Sequence, residues 1–293
     1  MKGVHNSMLK IGDMVVRKSY GSDILFTVSG YRYCRGRLVY RIRGKCVRIE
    51  ADADEEDLVP VEKTRISQFT KCYDDVLEKI KQKIRNEQQS NFYRNDMRSS
   101  DSILKRPGRV LHLDSDVEYL KQCLEFYNEF YIDAVGIEAK EEKQPGVVKE
   151  LLAKYKPDIL VITGHDAIKK GAEDKMDPAN YKNSIYFVEA VKNAREYEPS
   201  LDDLVIIAGA CQSFYEALME AGANYASSPQ RVLIHCLDPV IICEKVAYTD
   251  IKDIINASDV LENTITGKDG MGGLNTRGKY REGLPGYSKN EMK

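Results

Sequence analysis

Short runs of alternating apolar and polar positions open the chain, and a longer-period pattern replaces them after residue 108. Over residues 1–61, LKIGDMVVRKS, DILFTVSGYRY and LVYRIRGKCVRIEAD alternate and are separated by glycine-containing turns. Several such strands close together predict a small SH3-like β-barrel domain. Residues 62–107 change character. ISQFTKCYDDVLEKIKQKIRNEQQSNFY carries apolar positions at helical spacing among many charges and predicts an amphipathic linking helix. The polar stretch NDMRSSDSILKRPG after it predicts an exposed loop.

Residues 108–262 alternate strand and helix. RVLHLDSD, DAVGIEAK, PDILVITGHD, DDLVIIAGACQS and RVLIHCLDP read as strands. VEYLKQCLEFYNEFY, PGVVKELLAKYK, ANYKNSIYFVEAVKNAREYE and FYEALMEAGA read as the helices between them. DILVIT and LVIIAG are apolar at every position, as strands buried on both faces of a parallel sheet are. Right-handed crossovers then give an open, mostly parallel, doubly wound α/β sheet. Residues 263–293 are rich in glycine and poor in large apolar side chains, which predicts a C-terminal tail in loop conformation.

Composition narrows the function. The chain has 293 residues, 42% of them hydrophobic, so a sizeable core can form. Lys and Arg number 44 and Asp and Glu 46, a net charge of -2 that gives no overall attraction to nucleic acid. No apolar run is long enough for membrane insertion, and the N-terminus lacks the apolar stretch of a secretory signal, so a cytoplasmic location is expected. Seven cysteines, scattered and without a CxxC pair, argue against a disulfide framework and against a metal site. No phosphate-loop, HExxH or GxSxG pattern occurs, and no cofactor is expected.

Chemistry on open α/β sheets gathers outside the carboxyl ends of the strands. DILVITGHD ends in Gly164, His165 and Asp166, and LVIIAGACQS ends in Ala210, Cys211 and Gln212. If these strands are neighbours, His165 and Cys211 share one edge of the sheet. Small residues flank Cys211, a helix is expected to begin directly after it, and an imidazole nearby favours a thiolate. Cys211 is therefore the candidate nucleophile and His165 the candidate acid and base, with the backbone amides of Gly164 and Cys211 as candidate oxyanion donors. A lone cysteine at the end of a buried strand is commonly a packing residue, and it is the pairing with His165 that singles this one out. His112 and His235, inside strand patterns, are expected to be packed.

These two motifs resemble the caspase–legumain–clostripain clan of cysteine peptidases, although that clan has His-Gly where this chain has Gly164-His165. The resemblance to one family is closer. KIGDMVVRKSYGSDILF, PDILVITGHDA, NYKNSIYFVEAVK, LVIIAGACQSFYEAL, AGANYASSPQRVLIHCLDP and GMGGLNTRGKYREGLP together look like the YabG family of sporulation-specific peptidases. The resemblance implies a caspase-like fold, Cys211 as nucleophile with His165 as partner, spore-coat and other spore proteins as substrates, action in the developing spore, and cleavage after arginine. Reading arginine needs a carboxylate. Asp114, Asp116 and Asp166 are the candidates, with Asp114 preferred and Asp238 a further acid at a strand end. Arg98, in the expected exposed loop, is the candidate for self-cleavage. Two alternatives stand beside this: a non-enzymatic spore-coat scaffold that binds partners through the β module, and a flavodoxin-like ligand-binding domain.

Overall fold

A computed structural model describes residues 8–96 and 104–283. The chain divides into two compact units, Met1–Leu77 and Glu78–Lys293. In the first, β1 (Met14–Arg17), β2 (Leu25–Cys34), β3 (Arg37–Gly44), β4 (Glu50–Asp54) and β5 (Leu58–Pro60) form one antiparallel sheet in the order β4-β3-β2-β1-β5. The period-2 pattern turns Val15, Phe26, Val28, Tyr40, Ile42 and Ala53 into a common core with Leu58. A bulge between Val28 and Gly30 bends the longest pair of strands. The expected antiparallel module is present. Its sheet order leaves β4 and β5 at opposite ends of the sheet.

The expected linking helix is α1 (Ile66–Asp96), and the division between the two units falls inside it. The second unit continues with β6 (Leu104–Arg106), β7 (Val110–Asp114), α2 (Val117–Glu129), β8 (Ala134–Glu138), α3 (Gln144–Tyr155) and β9 (Ile159–Ile162). After these come α4 (Ser184–Tyr197), β10 (Val205–Ala208), α5 (Tyr215–Glu220), β11 (Tyr225–Ser227) and α6 (Asp238–Tyr248). The last elements are β12 (Ile254–Ile255), α7 (Ala257–Leu261), β13 (Met271–Gly273), β14 (Thr276–Arg277) and β15 (Arg281–Gly283).

Six strands form the main sheet in the order β13-β11-β10-β9-β7-β8. All neighbours are parallel except β13 against β11. Every side chain of β9 and β10 is fully buried, and each Val, Leu or Ile among them contributes roughly 1.5–3 kcal/mol of transfer free energy. Leu152 of α3, Phe187 and Val191 of α4 and Leu218 of α5 cover one face. The other face meets α2 and α6, where Tyr127 Oη joins His112 of β7 to Cys243 of α6. Because β7 lies between β8 and β9, chain direction across the sheet reverses between β7 and β9, and the crevice outside their carboxyl ends is the switch point.

RVLIHCLDP is not a strand: residues 231–237 form only a single bridge, at His235, before α6, and the fifth parallel strand is the short YAS of β11. Asp238 makes the difference. Its buried carboxylate accepts from the amides of His235, Ile265 and Thr266 at 3.0, 2.7 and 3.1 Å, which turns the chain where a strand would continue. The glycine-rich segment expected as a tail is built into the unit over its described part. β13 extends the main sheet, β14 pairs with β12, and β15 pairs with β6.

Candidate active site

The site begins with strand register. Ile162 of β9 pairs with Ala208 of β10, and the amide of Gly209 continues the ladder by donating to the carbonyl of Ile162 at 3.0 Å. His165 and Cys211 each follow three residues after those paired positions, at the same edge of the sheet. Gly209 has φ +104°, and a Cβ there would lie 2.8 Å from Leu218 Cδ1, so only glycine turns the chain sharply at this point. The turn is closed by the Ala210 amide donating to Ser213 Oγ at 2.9 Å. α5 starts at Tyr215 and has only 6 residues, so the helix expected directly after Cys211 does not present its N-terminus to the sulfur.

His165 is held from several sides. Its amide donates to Glu141 Oε1 at 2.7 Å, and its carbonyl accepts from Asn183 Nδ2 at 2.8 Å. Its Nε2 lies 3.6 Å from Asp116 Oδ2 and its Nδ1 3.9 Å from Glu141 Oε1, with the Tyr119 ring 5.9 Å away. Glu141 Oε1 also accepts from Ser115 Oγ at 2.5 Å. Both groups crowd Gly164: a Cβ on that residue would meet Glu141 Oε1 at 2.6 Å and Ser115 Oγ at 2.7 Å.

The three acids expected to read arginine are committed to the protein's own donors. Asp114 is wholly enclosed, its two oxygens accepting from the Asp116 amide at 2.9 Å and from Thr163 Oγ1 at 3.0 Å. Asp116 Oδ1 caps α2 by accepting from the amides of Glu118 and Tyr119 at 2.9 and 3.2 Å. Asp166 accepts from the amides of Ala167 and Asn183, from Ser213 Oγ at 3.0 Å and from Ser184 Oγ. Burial pushes the Asp166 carboxyl up from its ordinary value, and these hydrogen bonds pull partly against that. Asp166 therefore braces the loop of His165 to the turn of Cys211. Asp238 is likewise enclosed in the bonds described above, with its carboxyl raised by burial.

A segment covers the thiol. Cys211 is 2% exposed, and the Ile234 amide donates to its sulfur at 3.1 Å. The Gln212 amide donates to the Val232 carbonyl at 3.2 Å. Arg231 fastens this segment: its guanidinium donates to Tyr181 Oη at 2.8 Å, pairs with Glu216, and lies over the Tyr181 and Phe214 rings at 5.8 and 5.7 Å. Two cavities, of about 640 and 920 Å³, lie elsewhere, along α1 and α6.

Sequence reading therefore found both strand ends but missed Glu141, Ser115, Ser213 and the cover. The one available signal was that Ser115 and Glu141 follow strands at the carboxyl edge of the sheet. His112 is packed as expected, bonded through its two nitrogens to Tyr127 Oη and Thr163 Oγ1, both at 3.1 Å. Arg98 lies outside the described residues.

Fold and strand ends define an α/β protein with a thiol and an imidazole beside the switch point of a mostly parallel sheet. The chain belongs to the YabG peptidase family: the profile described as YabG peptidase U57 matches residues 10–285. It is 44% identical over 288 residues to the sporulation-specific protease YabG of Bacillus subtilis (strain 168), covering 96% of this chain and 99% of that protein. No solved structure matches.

Proposed function

We propose that this protein is a cysteine endopeptidase of sporulation, with a caspase-like arrangement of Cys211 and His165. The observation that carries the reading is the parallel pairing of Ile162 with Ala208, from which both residues follow at equal distance along the chain. The five parallel strands, numbered in order of appearance, run 2-1-3-4-5, and an antiparallel strand closes one edge. The name of the Bacillus subtilis relative supports a role in sporulation. Spore-coat and other spore proteins are the proposed substrates. Preference for arginine rests on the family resemblance, and the internal bonds of Asp114 and Asp166 turn both away from that task.

In this mechanism the Cys211 thiolate attacks the scissile carbonyl and forms a C–S bond. The carbonyl oxygen takes up the electron pair and is held by backbone amides at the Gly164 and Cys211 strand ends. His165, as imidazolium, gives its proton to the leaving amine as the C–N bond breaks. It then takes a proton from water, whose oxygen attacks the thioester and releases the thiolate. Peptide reaches the sulfur only after the segment around Ile234 has moved aside, since the thiol is enclosed.

The test compares wild type with Cys211→Ala on a peptide holding one arginine and on its Arg→Ala counterpart. Wild type is expected to cleave only the arginyl peptide. The variant is expected to lose turnover by at least about 1,000-fold with an unchanged melting curve. Retained cleavage by Cys211→Ala contradicts the mechanism, and equal cleavage of both peptides contradicts the arginine preference. Mass spectrometry of the purified wild type and of Cys211→Ala tests self-cleavage after Arg98, which is expected in the first protein alone.

A further inference from the structure

We propose that Asp116 is the positioning residue for His165, holding the imidazole by Nε2. This rests on the peptidase reading above, and it takes Asp116 out of the arginine pocket expected from sequence.

Three observations meet on this residue. Asp116 Oδ2 is the carboxylate oxygen that faces His165 Nε2, at 3.6 Å, while Oδ1 is spent on the N-terminus of α2. The side chain is 7% exposed against 21% for His165, so the pair sits where water screens it weakly. Asp116 is also locked to the strand that carries His165: its amide donates to Asp114 Oδ1, and Asp114 Oδ2 accepts from Thr163 Oγ1, two residues before His165. Cap, strand end and imidazole thus form one closed frame. At 3.6 Å the contact is longer than a hydrogen bond, as catalytic contacts often are before substrate binds, and a closure of about 0.6 Å completes it.

Glu141, from the connection between β8 and α3, and Tyr119 of α2 also lie against the imidazole. Glu141 uses its near oxygen for the His165 amide and the Ser115 hydroxyl, so it fixes the backbone of His165 rather than the ring. Asp166, next in the chain, turns to Ser184 and Ser213. Asp116, whose Oδ2 lies nearer a ring nitrogen than Glu141 Oε1 does, is the carboxylate that orients the ring.

The experiment uses the full chain with Asp116→Asn and, in parallel, Asp116→Ser. Both replacements cap a helix about as well as Asp and neither carries charge. The expected result is a fall in kcat/KM of roughly 100-fold with little change in KM. The alkaline limb of the kcat/KM–pH profile should move to lower pH, while the melting temperature changes by no more than about 3 °C. Profiles that superimpose on the wild type, with only stability altered, overturn the inference and leave Asp116 a helix cap. A Cys211→Ala variant that remains active overturns the thiol–imidazole pair and this inference with it. Those two failures are therefore told apart by the Cys211 variant alone.

Discussion

Gly164 shows how tightly individual residues are fixed at this site. Its missing Cβ leaves room for Glu141 Oε1 and Ser115 Oγ, which meet over the backbone just before His165. Gly164→Ala forces both groups apart and breaks the Glu141 contact to the His165 amide. It is expected to cost about 1–3 kcal/mol, read as a lower melting temperature, with kcat/KM falling alongside. An unchanged melting curve would show that the Glu141–Ser115 pair has room to yield. At this scale the sequence was legible in the apolar strand ends that bring His165 and Cys211 to one edge of the sheet. It was silent on Glu141, Ser115 and Ser213. Those are ordinary loop residues whose role comes from which remote amide or hydroxyl they meet, and only the folded chain brings the partners together.

Elements decide access to the thiol. The segment from Arg231 to His235 was expected as part of a strand, because RVLIHCLDP is apolar enough for one, yet the Ile234 amide turns to Cys211 and the His235 amide to Asp238. β11 was overlooked for the opposite reason. Three residues, YAS, are too few to show a pattern, although they occupy a parallel position beside β10. The cover is fastened chiefly by Arg231 in its cradle of Glu216, Tyr181 and Phe214. Arg231→Ala is therefore expected to loosen it and to raise the rate of Cys211 alkylation by iodoacetamide several-fold, followed by mass spectrometry of the modified peptide. A rate equal to or below that of the wild type would mean that the segment stays closed without its arginine.

For the molecule as a whole, the parallel α/β sheet was readable from DILVIT and LVIIAG, but the order of its strands was not, since nothing in a strand's own sequence names its neighbour. The division inside α1 was hidden in the same way, because one uninterrupted helical pattern runs across it. Enclosed acids give the second unit a distinctive response to pH. Burial pushes the Glu244 carboxyl up from 4.5 to about 7, against a hydrogen bond from Gln88. The folded chain then keeps a proton that the unfolded chain releases. The stabilisation is full below about 4.5 and is lost as pH rises through about 7, a change on the order of 3 kcal/mol. Glu244→Gln is expected to flatten that dependence, raising the melting temperature at pH 8 and leaving it nearly unchanged at pH 4. Parallel pH–stability curves for the two proteins would contradict the assignment.

The measurement closest to the central claim is covalent labelling with an arginyl chloromethyl ketone, followed by peptide mapping. Seven cysteines compete for the reagent, and the account predicts one equivalent, on Cys211, with the label lost when His165 is replaced by Ala. Label on another cysteine, or labelling of Cys211 that is indifferent to His165, would contradict it.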